Sequence, residues 1–261
     1  MLFDLRGKRR RVVQTVYAVL AALFLISFVG FGVGSDAAGG IFDALGVGGG
    51  HGGSSTSPQY EEDIDAAEER LQQDPKDQRA LLQLAETRYL AGQAELEADE
   101  ETGQPVLTDE ASEQFTAGID AWDRYLETKP KNPSPGVAVQ LLQAYQLLAQ
   151  SDTDPAALES HLEGGKETAE ITAEQQPGAN SFFVLAQFAY LSGDSDLGDD
   201  AAAKAMRESS GSQGKQLKKA FADLEKQGEQ LQKQIKQQGA GKEQLENPLG
   251  GVGGGAAAPT P

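Results

Sequence analysis

The 261-residue chain carries 22 Lys+Arg against 40 Asp+Glu, a formal net charge of −18, with two histidines and no cysteine. The lack of cysteine excludes disulfides, thiol catalysis, Cys-type zinc sites and iron–sulfur clusters. With residues 1–35 set aside, the remainder holds 17 basic and 39 acidic side chains, net −22. A surface of that sign repels phosphate backbones, which excludes nucleic acid as a partner.

Residues 1–11 form a basic segment with Arg6, Lys8, Arg9, Arg10 and Arg11. Val12 to Val33 follows, 22 residues without a charge. About 20 apolar residues cross the hydrocarbon core of a bilayer as a helix, and the apolar core of a signal peptide is shorter, about 7–15 residues. The stretch therefore predicts an uncleaved transmembrane anchor over residues 12–34, a single pass of the cytoplasmic membrane. The basic cluster keeps the N-terminus cytoplasmic and places the rest on the extracytoplasmic side. Gly30 and Gly34 have the small-xxx-small spacing that lets two such helices approach closely. Residues 35–58 read as a flexible linker. Nine of the 20 residues from Gly34 to Gly53 are glycine, and 24 such residues span roughly 25–30 Å on average.

From 59 to 210 the composition turns to Ala, Leu, Glu and Gln at helical spacing, and no period-two alternation extends beyond a few residues. The fold class is all α. Leu84-Ala85-x-x-x-Tyr89-Leu90-Ala91-Gly92 matches Leu185-Ala186-x-x-x-Tyr190-Leu191-Ser192-Gly193, with a weaker copy at Leu141-Leu142-Gln143-Ala144-Tyr145-Gln146-Leu147-Leu148-Ala149. Between the copies lie predicted helices closed by Pro75, Pro130 and Pro177, the second carrying Gly118, Trp122 and Tyr125.

This pattern resembles the tetratricopeptide repeat, in which a helix A with Leu-small-x-x-Tyr pairs with a helix B closed by proline over 34 residues. Tyr89 and Tyr190 fall one residue later than the family's tyrosine. The copies start 57 and 44 residues apart, with an insertion near Glu95 to Thr108. The resemblance implies a solenoid of antiparallel helix pairs, each burying one face against the next. It also implies an inner groove lined by helix A, which would place Glu86, Tyr89, Gln143, Gln146, Gln187 and Tyr190 at a peptide-binding surface. That set is rich in Tyr and Gln and poor in charge, which suits extended peptide held by aromatic contact and amide hydrogen bonds. Tyr89 and Tyr190 read equally well as core.

Residues 211–238 predict a last helix. Leu217, Leu224 and Leu231 recur every seven, with Phe221, Gly228 and Ile235 at the alternate positions. Such a seam either caps the final repeat or pairs two copies as a coiled coil, and Gly228 weakens it by roughly 1 kcal/mol relative to alanine. Residues 239–261, rich in Gly, Ala and Pro, read as a disordered tail.

Catalytic chemistry finds no support. His51 sits in the glycine linker and His161 between Glu159 and Glu163, the arrangement of a solvated helix face. Asp194-x-Asp196-x-Gly198-Asp199-Asp200 lacks the full pattern of a calcium loop. No phosphate loop and no nucleophile elbow are present. The expectation is a non-enzyme with no metal and no cofactor, whose partners are other proteins or extended peptides. The order of parts (basic N-terminus, single span, linker, helical repeats) resembles the anchored ancillary proteins of the bacterial Sec translocon. That resemblance implies a chaperone-like accessory of export. The alternative is an envelope scaffold that self-associates as a homodimer through its C-terminal helix.

Overall fold

The computed structural model describes residues 58–99, 105–209 and 212–246. The basic segment, the anchor at 12–34 and the linker lie outside the described residues. Among the described residues no helix is long and apolar enough to cross a membrane.

The described chain is all α apart from one two-residue ladder. The helices are α1 (Pro58–Gln73), α2 (Gln78–Ala94), α3 (Asp109–Glu127), α4 (Pro135–Ser151), α5 (Pro155–Gln175), α6 (Ala179–Ser192), α7 (Ser195–Glu208) and α8 (Ser212–Glu246). Within the α2–α3 connection, β1 (Glu97–Ala98) pairs antiparallel with β2 (Pro105–Val106). The predicted insertion is thus a small hairpin. Pro75, Pro130 and Pro177 fall in the turns after α1, α3 and α5, where a missing N–H interrupts nothing. Polar caps start the next helices. Asp77 accepts from the amides of Arg79 at 2.9 Å and Ala80 at 3.1 Å, and also holds Arg70 at 2.8 Å. Thr108, Asp154 and Asp194 do the same for α3, α5 and α7.

Helices α2 and α3, α4 and α5, and α6 and α7 pack as three consecutive hairpins, with α1 before the first and α8 after the last. Contacts also run from α2 to α4 and from α6 to α8. The even-numbered helices therefore form one layer and the odd-numbered helices the other. In each hairpin an aromatic ring sits over a glycine: Phe115 over Gly92, Tyr145 over Gly164, Tyr190 over Gly198. A Cβ at these glycines would lie 2.7, 2.8 and 2.6 Å from the ring, so the close approach of each pair depends on the missing side chain. Trp122, Phe115, Phe188, Leu81, Leu141 and Leu224 are the largest fully buried apolar side chains. Each contributes on the order of 1.5–3 kcal/mol through burial.

The two copies of the Leu-Ala-x-x-x-Tyr motif end differently. Gly193 leaves α6 in the left-handed region, φ 90°, and its amide and that of Asp194 close on Tyr190 and Ala189, the geometry of a glycine stop. At Gly92 the helix continues, with Phe115 covering it.

The last helix is longer than the predicted 211–238. It runs through Glu246, 35 residues, so residues 239–246 are helical rather than tail. The helix formers Lys242 to Glu246 outweigh Gly239 and Gly241. The seam of α8 is covered by its own chain. Phe221 stacks on Phe183 at 5.4 Å between centroids, and Leu224, Leu231 and Ile235 are buried. Gly228 lies against the Tyr190 carbonyl, and the Gln232 amide donates to the Leu191 carbonyl at 2.8 Å. Helix α8 thus runs parallel to α6 as a further member of the even layer.

Candidate peptide-binding face

Charge is distributed unevenly over the helices. Helices α4 and α6 contain no Asp, Glu, Lys, Arg or His, and α2 contains Arg79, Glu86 and Arg88. The odd-numbered helices hold six acids each in α1 and α3, five in α5 and four in α7, and α8 at the end of the even layer holds five acids with seven lysines. In place of charge, α4 carries Gln140, Gln143, Gln146 and Gln150, spaced 3, 3 and 4 apart, so one stripe of the helix is amide throughout.

The six residues expected at a groove separate on inspection. Tyr89 donates its hydroxyl to Gln143 Oε1 at 2.6 Å, joining α2 to α4. Gln146 Nε2 donates to Gln187 Oε1 at 3.4 Å, joining α4 to α6. Glu86 is exposed on α2. Tyr190 turns to its hairpin partner and donates to Asp199 Oδ1 at 2.7 Å. Tyr89, Gln187 and Tyr190 are buried at 4%, 5% and 4% exposure. They are structural members of the layer, and the surface available to a ligand is Glu86, Gln143 and Gln146. Burial pushes the Tyr89 and Tyr190 phenols well above their ordinary range, so both stay protonated donors. The motif placed both tyrosines at one helical angle, but the late position of each rotates it off the open face and into the hairpin.

Four further glutamines of the even-numbered helices have a buried side-chain atom. The side-chain oxygens of Gln140, Gln227 and Gln234 and the Gln93 nitrogen are buried without a hydrogen-bond partner. These atoms belong to the same helix layer but are closed off from a ligand. The signal in the sequence was the glutamine stripe of α4, which only acquires meaning once α4 is known to lack charge on all sides. Between α4, α5, α6 and α8 a crevice of about 20 Å³ is lined by Gln146, Gln150, Leu162, Gln187, Phe188 and Leu231. That volume holds about one water molecule and no organic ligand. Val106 is the one large hydrophobic residue exposed among the described residues. Contacts on this face are therefore polar.

The titratable residues considered for chemistry have structural partners. His161 Nε2 lies 3.3 Å from Asp152 Oδ2 and fastens the α4–α5 turn. Burial lowers its pKa, against the pull of Asp152. In the acidic run after α6, Asp194 caps α7, Asp199 holds Tyr190 and Asp200 pairs with Lys204 at 2.6 Å. Among the described residues no group of three or more His, Cys, Asp or Glu could hold a metal ion. A polar chain runs from the interior to the surface at α3, α4 and α5, ending at the exposed Asp123. Trp122 Nε1 donates to Thr168 Oγ1 at 3.2 Å, and Tyr145 bonds both Thr168 and Asp123. The Asp123 carboxyl is pushed up to about 6, first by lost solvation and then by Asp120, Glu167 and Glu127, with the Tyr145 hydrogen bond pulling the other way.

Comparison of the chain with protein-family models, with curated proteins and with solved structures gives no match.

Proposed function

We propose that this chain is a non-catalytic protein–protein interaction module of the tetratricopeptide type, tethered to the cytoplasmic membrane, that holds extended polypeptide on its even-numbered helix layer. Its folded part works on the extracytoplasmic side, as a chaperone-like accessory of protein export. The observation that carries the reading is a contrast between helices: α4 and α6 are free of charge and α4 carries a stripe of four glutamines, while the odd-numbered helices are acidic. Glutamine amides offer a donor and an acceptor each and match the repeating N–H and C=O of an extended chain. The scarcity of exposed apolar side chains argues for backbone recognition over capture of greasy segments. The three hairpins with a ring over a glycine support the repeat resemblance. The anchor and topology rest on the uncharged Val12–Val33 stretch and its basic flank.

A scaffold that pairs through the C-terminal seam is the second reading. The burial of Leu224 and Leu231 within their own chain argues against it. The test is co-immunoprecipitation from gently solubilised membranes, comparing the native chain with one carrying Gln143→Glu and Gln146→Glu. Exported chains and translocon subunits recovered with the first and depleted with the second support the proposal. Their absence from both refutes it.

A further inference from the structure

Among the described residues the layer order leaves a half-pair at each end of the array. Among those residues, α1 is an odd-layer helix with no even-layer helix before it, and α8 is an even-layer helix with no odd-layer helix after it. The two ends have opposite charge. Helix α1 holds six acidic residues and one arginine, whereas α8 holds seven lysines against five acidic residues.

The exposed charges form stripes of matching pitch. On α1, Glu62, Asp65 and Glu69 are exposed and lie on the side away from Ile64, Ala67 and Leu71, which are buried. On α8, Lys219, Lys226 and Lys233 are exposed and recur every seven, opposite the buried Leu224, Gly228 and Leu231. Seven residues of helix rise about 10.5 Å, so Glu62 and Glu69 repeat at the spacing of two successive lysines. Of the arginines of α1 and α2, Arg70 holds Asp77 and Arg88 holds Glu68 at 2.7 Å, and Arg79 forms no ion pair among the described residues. Glu62, Asp65, Glu69, Lys219 and Lys226 form no ion pair among the described residues, and Lys233 reaches Glu229 at 3.3 Å.

We infer that copies of this chain associate head to tail, the acidic outer stripe of α1 in one copy lying along the lysine stripe of α8 in the next. The contact is heterologous: it uses two different patches and leaves a free patch at each end, so it extends as an open row and does not stop at a dimer. The net charge of −18 opposes association at long range. At physiological salt that repulsion is screened beyond about 8 Å, and the adjacent stripes decide. Tethering to one membrane raises the local concentration, which favours a contact too weak to hold in dilute solution. The inference rests on the layer order and the charge stripes, and is independent of what the even layer binds.

The absence of cysteine makes the test direct. Ala66 and Ala222 are exposed, lie beside the two stripes and carry no charge. Full-length chain in membrane vesicles with Ala66→Cys and Ala222→Cys together, treated with a short bis-maleimide, is expected to give a ladder of dimers, trimers and higher species. Mixing the two single-cysteine chains is expected to give dimers alone, and each single-cysteine chain by itself none. At about 1 M salt the screening length is about 3 Å, and the ladder is expected to fall about tenfold from low salt. Lys219→Glu with Lys226→Glu is expected to remove it, and adding Glu62→Lys with Glu69→Lys to the same chain to restore it. A ladder no stronger than that from Ala66→Cys with Glu174→Cys overturns the inference. So does a dimer formed by Ala222→Cys alone, or a failure of the charge swap to restore the ladder.

Discussion

Replacing Gly228 with alanine separates two accounts of the last helix by sign. Helix propensity alone makes Gly228→Ala stabilising by about 1 kcal/mol, since glycine is the weaker helix former inside α8. The packing makes it destabilising. A Cβ at this position would meet the backbone carbonyl of Tyr190 and the chain around it. Backbone of α6 cannot rotate aside as a long side chain would, so α8 must move outward. Overpacking of this kind costs typically about 1–3 kcal/mol. The same outward movement lengthens the Gln232 bond to the Leu191 carbonyl, now 2.8 Å, worth about 1 kcal/mol. It also loosens Phe221 from Phe183. Set against the propensity gain, the net is a loss of about 2 kcal/mol, which lowers the melting temperature by about 4–8 °C in a domain of this size. Gly214 provides the control, because a Cβ there meets nothing within 4 Å. Thermal unfolding of the purified full chain, with amide hydrogen exchange in α8 as the local readout, measures both. The expected result is a lowered midpoint and faster exchange in Gly228→Ala, with neither change in Gly214→Ala. A Gly228→Ala chain as stable as the native one would refute the placement of α8 on α6.

Three further outcomes follow from the interior. Gly165→Ala would drive a Cβ into the Phe188 ring, and a loss of about 1–3 kcal/mol in denaturant titration is expected. Thr168→Val keeps the shape but removes the acceptor of the buried Trp122 N–H; about 1–3 kcal/mol is expected to be lost, and an unchanged midpoint would show that the bond contributes nothing. Asp123 binds its proton more tightly in the folded state, with a pKa of about 6 against an ordinary 3.8. Its contribution is therefore most favourable below 3.8 and declines as pH rises to about 6. Asp123→Asn is expected to stabilise the chain at pH 7–8, by about 1 kcal/mol after allowance for solvent at its exposed edge. That gain should vanish near pH 4. His161 acts in the opposite sense: its lowered pKa means that stability is lost as pH falls through the ordinary histidine range. The difference between Asp123→Asn and the native chain across pH isolates the carboxyl from this background.

The residues made some of this architecture legible and hid the rest for definite reasons. Pro75, Pro130 and Pro177 marked helix ends because proline acts locally, and its effect needs no knowledge of a partner. The Leu224 and Leu231 seam was equally visible, but a heptad shows only that a face is apolar. Whether that face meets α6 or a second chain depends on distant residues. Gly228 looked like a defect for the same reason: propensity measures the helix alone, whereas the Tyr190 carbonyl lies 38 positions earlier. Gly92 and Gly193 occupy the same place in one motif. Phe115 covers the first and Asp194 follows the second, so one helix continues and the other stops. At the candidate face, the amides of Gln143 and Gln146 were readable from α4. The burial of Tyr89, Gln187 and Tyr190 was not, since a tyrosine between apolar neighbours has the same pattern on a groove wall as in a core.

The central claim, that the charge-poor face around α4 receives polypeptide, is tested most directly by photo-crosslinking in cells. The photoreactive residue replaces Glu86, Gln143 or Gln146, with Glu174 on the acidic layer as control, and the adducts are identified by mass spectrometry. The account predicts adducts to exported proteins and translocon subunits from the first three positions and not from Glu174. Adducts from Gln143 and Gln146 indistinguishable from those at Glu174 would contradict it.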